Sequence, residues 1–173
     1  MFAVMQACEM YLANGKDVFW AFMDLEKAYD TIDRHGMWPM IRVYGIGEKL
    51  LKAAQSFYVD SRACVRVGND VNEWFPVNVG LRQGCVMSQR LFNVYMDGVV
   101  REVNVRVLGK VLELLSENGG RFEINQLLFA DDTALVADSE DTLCRLVSEF
   151  GRVCERRKLR VNVGKSKVMR CSR

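Results

Sequence analysis

The run Val18-Phe19-Trp20-Ala21-Phe22-Met23, closed by Asp24, decides the fold class. It is the longest unbroken apolar stretch in the chain, too short to cross a membrane and rich in aromatic residues, so it predicts a buried strand over 17–25. Outward from it, residues 3–14 read as a helix with Val4, Ala7, Cys8, Tyr11 and Leu12 on one face. Downstream, 34–44 and 48–58 are expected to be helical, the first ended by Gly45 and Gly47. Segments 63–67 and 74–79 resemble two strands joined by a Gly-Asn-Asp turn, and Ser88 is placed as the N-cap of a long helix to about Arg106. Residues 108–121 are ambiguous. Leu127–Ala130 and Ala134–Ala137 predict a tight hairpin, Ser139 caps a helix to about Lys158, and 159–163 and 168–171 read as closing strands. No internal linker is evident, so residues 1–173 are expected to form a single α+β domain, mainly antiparallel, with helices packed on one face of the sheet.

A chain of 173 residues, half of them hydrophobic and 27% charged, is globular rather than disordered. Glu9, Lys16 and Asp17 stand where a secretory signal needs apolar residues, and no stretch can span a membrane, so an intracellular location, nuclear or cytoplasmic, is expected. The six cysteines have no close pair of the kind zinc sites use, and read as small buried hydrophobes in a reducing compartment. The single histidine, His35, has no recognisable nucleophile beside it, which argues against a histidine-dependent hydrolase. The net charge of +2 conceals a division: residues 151–173 carry nine bases against one acid. Such a run fits contact with a polyanion, and equally a helix end whose dipole the bases complement.

Two places carry chemistry. Asp24 ends an apolar strand, where a carboxylate needs a cation, a donor or an opening to water; it is also where a strand-end acid can simply face solvent. Asp131-Asp132 puts two acids at an apolar-flanked turn, where repulsion of ~4 kcal/mol at an effective dielectric of 20 would be relieved by a cation. Asp is equally a common turn former. Taken together, the acids suit a divalent metal site that binds phosphates.

Four segments then carry a family resemblance. Phe22-Met23-Asp24-Leu25-Glu26-Lys27-Ala28-Tyr29-Asp30 resembles the first palm motif of the reverse transcriptases of non-LTR (LINE-type) retrotransposons. Gly80-Leu81-Arg82-Gln83-Gly84-Cys85-Val86-Met87-Ser88, continuing to Leu91-Phe92-Asn93, resembles the second. Phe129-Ala130-Asp131-Asp132 is similar to the catalytic hairpin, and Leu159 to Lys167 to the motif after it. Their order matches the family's.

The resemblance implies a polymerase palm that catalyses two-metal nucleotidyl transfer with an RNA template, a DNA primer and deoxynucleoside triphosphates. It implies that Asp24, Asp131 and the backbone carbonyl of Leu25 hold two Mg2+ ions, Mn2+ being a substitute, with Asp132 the second acid of the hairpin. Tyr29 falls where an aromatic ring excludes a 2′-hydroxyl. Gln83 and Gly84 lie where the family contacts the incoming nucleotide and template base. Lys165, or alternatively Lys167, matches a lysine facing the triphosphate. The family's pattern departs at Gln89, where proline is usual; this is expected to loosen the helix start. Fingers and thumb have no match within the chain, so it reads as a palm from a longer polyprotein, inactive alone. The competing reading is a non-catalytic nucleic-acid-binding or assembly module, or a degenerate relic, that kept the palm fold.

Overall fold

The computed structural model describes residues 2–107, 112–115, 121–124, 126–129 and 132–172. In chain order the elements are α1 (Phe2–Ala13), β1 (Val18–Met23), α2 (Ala28–Thr31), α3 (Arg34–Val43), α4 (Glu48–Ser56), β2 (Arg62–Ala63), β3 (Arg66–Val67), β4 (Asp70–Val71) and β5 (Phe75–Pro76). There follow α5 (Val86–Val107), β6 (Leu112–Leu115), β7 (Arg121–Ile124), β8 (Gln126–Phe129), β9 (Asp132–Ala137), α6 (Glu140–Arg156) and β10 (Lys167–Cys171). They fall into two compact units, Met1–Glu26 with Val99–Arg173, and Lys27–Gly98.

The first unit is built on an antiparallel sheet in the order β10-β1-β9-β8. Alternate residues of β1 point to opposite faces. Val18 and Trp20, with Ala134 and Val136 of β9, pack against Ala7 and Tyr11 of α1. Ala21, Leu135 and Ala137, on the alternate positions, are buried too, and α6 packs along β9 and β1. Burial on both faces is why β1 reads as a continuous apolar run instead of an alternating one. The cap of α6 is the expected Ser139, whose hydroxyl accepts from the Thr142 N–H. Within α6 the buried stripe is Leu143, Leu146, Phe150, Val153 and Cys154, with Val147 half-buried at its margin. Where residues 108–121 were ambiguous in sequence, β6 pairs antiparallel with β7, Leu112 opposite Ile124 and Leu115 opposite Arg121. Residues 159–163 do not form the expected strand: they make one bridge, Leu25 to Val161, before a turn at Asn162–Ser166.

In the second unit the strands expected at 63–67 and 74–79 are two short ladders. Arg62 and Ala63 pair with Pro76 and Phe75, and Arg66 and Val67 pair with Val71 and Asp70. The register slips by one residue between them, the signature of a bulge, and Asn72 spans the slip by accepting from the Val65 N–H through Oδ1 (2.6 Å). Ser88 is not the N-cap of α5. It lies inside the first turn, fully buried, its hydroxyl hydrogen-bonded to that of Tyr58 at 2.7 Å. Cys85 holds the cap position; hydrogen bonds led by the Ser88 backbone N–H lower its thiol pKa. Nor does Gln89 loosen the helix: its N–H donates to the Cys85 carbonyl (3.2 Å), a bond proline could not make. Among the described residues no helix is long and apolar enough to cross a membrane.

Candidate active site

The register that sets Met23 opposite Thr133 carries the next pair, Asp24 and Asp132, to the same end of two adjacent strands. The strand is apolar up to Met23 because it is buried there; the acid follows where the sheet opens. Asp24 is half-buried and Asp132 exposed. Both line one cavity of about 420 Å³, whose walls are Val4, Phe22, Leu127 and Thr133 among others, with Lys165 at its edge.

The backbone of Asp24 is held on both sides by the 162–166 turn. Its N–H donates to the Ser166 hydroxyl (3.3 Å), and its carbonyl accepts from the Asn162 N–H (2.8 Å). Glu26 donates to the Arg160 carbonyl (2.8 Å). Leu25 sits between these bonds, bridged to Val161. Asn162 organises the turn: its carbonyl accepts from the Ser166 N–H (2.9 Å) and hydroxyl (2.8 Å), and its side-chain Oδ1 accepts from the Lys165 N–H (3.2 Å). This turn carries Lys165 to the cavity, whereas the Lys167 ammonium donates to the Gly164 carbonyl (3.4 Å). Thr133, buried beside the acids, has no hydrogen-bond partner for its hydroxyl among the described residues.

Asp131, expected to hold metal with Asp24, lies outside the described residues, so its distance from Asp24 is not part of this geometry. Among the described residues no three metal-ligating side chains gather.

The second unit places Tyr29, on the short helix α2, and Gln83, on the loop before α5, in two segments fastened together. Leu81 donates to the Tyr29 carbonyl (2.7 Å), Gly80 donates to the Ile32 carbonyl (2.9 Å), and the Gln83 amide donates to the Asp30 carboxylate (2.9 Å). The Tyr29 ring stacks on Phe92 of α5, centroids 4.3 Å apart. Gly84 has φ +78° but open space around the place of a side chain; the close approach belongs to Gly80, where a Cβ would lie 2.6 Å from the Asp30 carbonyl oxygen. Behind the loop, the buried Arg34 guanidinium donates to the carbonyls of Gly80 (2.6 Å), Val77 (2.9 Å) and Val79 (3.0 Å), and lies 4.8 Å from the Tyr58 ring centroid. Desolvation holds its pKa below the ordinary arginine value.

Asn162, Ser166, Thr133, Gly80 and Arg34 were not singled out from sequence. Asn162-Val163-Gly164-Lys165-Ser166 has turn composition that marks the loop but not its partner. Four of the nine bases at 151–173 form ion pairs: Arg156 and Arg157 with Glu102 (2.9 and 2.8 Å), Arg152 with Glu149 and Arg170 with Asp17.

The sequence profile of the family described as reverse transcriptase (RNA-dependent DNA polymerase) matches residues 3–172. The chain belongs to the reverse transcriptase family. This reverse transcriptase domain is 27% identical over 132 residues to a retrovirus-related Pol polyprotein from type-1 retrotransposable element R2 of Nasonia vitripennis, covering 74% of this chain and 12% of that one. It is 26% identical to the corresponding R2 polyprotein of Popillia japonica, covering 73% and 20%. These similarities bear out the resemblance to reverse transcriptases of non-LTR retrotransposons. The domain thus spans a fifth or less of the relatives it matches. A telomerase from Candida albicans, solved in complex with a TWJ fragment of telomeric RNA, superposes with a TM-score of 0.76 at 13% identity, over 97% of this chain and 29% of that one. The likeness concerns the fold, and bears out the α+β polymerase palm with a mainly antiparallel sheet.

Proposed function

We propose that this reverse transcriptase domain is the catalytic palm of an RNA-directed DNA polymerase, acting on an RNA template, a DNA primer and deoxynucleoside triphosphates. The observation that carries the reading is the convergence of Asp24, Asp132 and Lys165, from three separate segments, on one cavity. A purely structural sheet end has no need to gather two acids and a lysine there.

The donors present suit a hard divalent ion: carboxylates at a sheet opening, with the orphaned Thr133 hydroxyl beside them. Two magnesium ions, or manganese in their place, would be held by Asp24, Asp131 and the Leu25 carbonyl, and when bound would activate the primer 3′-hydroxyl and stabilise the leaving oxygen. Asp132 adds negative charge at the same opening. Lys165, carried on the turn that also grips Asp24, faces the triphosphate and stabilises or protonates the departing pyrophosphate. Tyr29, held flat by Phe92, blocks a 2′-hydroxyl and so selects deoxynucleotides. Gln83 and Gly84 border the incoming nucleotide and template base, Gln83 oriented by Asp30.

The test joins the chain to compatible fingers and thumb segments and measures primer extension with magnesium or manganese. Asp24→Asn and Asp131→Asn keep side-chain size and lose the charge, so each should abolish extension while leaving the circular dichroism unchanged. A folded Asp24→Asn protein that extends primers at the unmodified rate returns the chain to the class of non-catalytic binding modules.

A further inference from the structure

The sulfurs of Cys8 on α1 and Cys171 on β10 lie 3.1 Å apart, although 163 residues separate them in sequence. Both side chains are half-buried against the same core cluster of Ala7, Tyr11, Val18 and Trp20, so Cys8 of α1 and Cys171 of the edge strand β10 meet where α1 covers the sheet. From this juxtaposition we infer that Cys8 and Cys171 are a redox-responsive pair that closes to a disulfide when a peroxide-class oxidant is present. A disulfide needs its sulfurs ~2.05 Å apart, so they must approach by ~1 Å, within reach of side-chain rotation. Burial, and then the contact with Cys8, pushes the Cys171 thiol up to about 11, so at neutral pH it rests protonated.

The chemistry balances without any group from the protein beyond the two thiols. Peroxide takes two electrons from one sulfur; its O–O bond breaks, one oxygen leaving as water and the other remaining as a sulfenic acid. The second sulfur attacks the sulfenic sulfur, the S–O bond breaks, and a second water leaves with the remaining thiol proton. Glutathione-class thiols reverse the link. The consequence reaches the cavity: α1 contributes Val4 to its wall, and the turn leading into β10 contributes Lys165. Oxidation thus ties together two elements that frame the acids.

The purified chain is treated with one equivalent of hydrogen peroxide, its remaining thiols are blocked with iodoacetamide, and it is digested with trypsin without reductant. The expected product is the 1–16 fragment joined to the 171–173 fragment, recovered from the monomer and lost on adding dithiothreitol. Cys8→Ser and Cys171→Ser should each remove it, so a folding failure in one variant leaves the other to read. Recovery of both cysteines separately blocked or over-oxidised while the exposed Cys144 is oxidised overturns the inference. So does a joined product found only between two molecules.

Discussion

At the scale of single residues, two glycines of one motif separate conformational need from steric need. Gly80 and Gly84 share φ +78°, but only Gly80 abuts backbone, with the Asp30 carbonyl oxygen 2.6 Å from the place of a Cβ. Gly84→Ala should therefore cost about 1 kcal/mol for the left-handed backbone alone. Gly80→Ala should cost about 3 kcal/mol or more, because the loop must also move off the Asp30 carbonyl and loosen the Arg34 bond to Gly80. Urea denaturation of both variants checks the order; equal losses would show that the close approach carries no energy. Asp24 was legible from sequence because an acid closing an apolar run is conspicuous. Ser166 and Asn162, which hold its backbone, were not, because the hydrogen bonds to Asp24 cross 142 and 138 residues and no local pattern encodes a distant partner.

Between elements, two charged groups fasten segments that are distant in sequence. Arg34 of α3 satisfies carbonyls of the segment running from β5 to Gly80, and its charge meets only carbonyl oxygens and the Tyr58 face among the contacts described. Arg34→Met preserves much of the volume but strands those carbonyls, at a cost of about 3 kcal/mol. Trp38, whose ring lies 5.9 Å from that of Tyr58, reports the loss as an earlier fluorescence transition in urea. In the other unit Glu102 on α5 receives Arg156 and Arg157 from the end of α6. Burial raises its pKa, but the Arg157 hydrogen bond and the charges of Arg157, Arg156 and Arg106 outweigh burial and leave it below the ordinary 4.5. A carboxylate depressed on folding contributes stability above its unfolded pKa and loses it as pH falls through the lower folded value. Melting temperatures from pH 7 down to pH 3 should fall less steeply in Glu102→Gln than in the unmodified chain; parallel curves would show that the cluster adds nothing. The helix periodicities of α1, α5 and α6 were legible because each buries a stripe. The start of α5 and the fate of 159–163 were not, since both depend on which backbone groups find partners elsewhere.

On the scale of the whole molecule, apolar surface is concentrated in the second unit: Phe57, Val67 and Trp74 are exposed at 56%, 74% and 64%. Scattered exposed hydrophobes are ordinary, but several large ones in one unit mark a surface prone to association. The chain should bind the dye ANS while folded and scatter light increasingly with concentration. Trp74→Ser should reduce both signals by roughly half without lowering the melting temperature, as expected of an exposed side chain. Unchanged scattering would place the sticky surface elsewhere.

The sequence by itself determined the class of fold, most elements and the family, because burial periodicity, turn residues and four ordered motifs are local properties of the chain. Tertiary structure alone decided that Asp24 and Asp132 stand at one sheet end, that Lys165 rather than Lys167 lines their cavity, and that two distant cysteines touch. It also paired Arg156, Arg157 and Arg170 with acids of distant segments, so that charge counted along the chain overstated what remains for a polyanion. The reason is physical: register, ion pairing and hydrogen bonding between remote segments are settled by packing, and packing has no signature in the spacing of neighbouring residues.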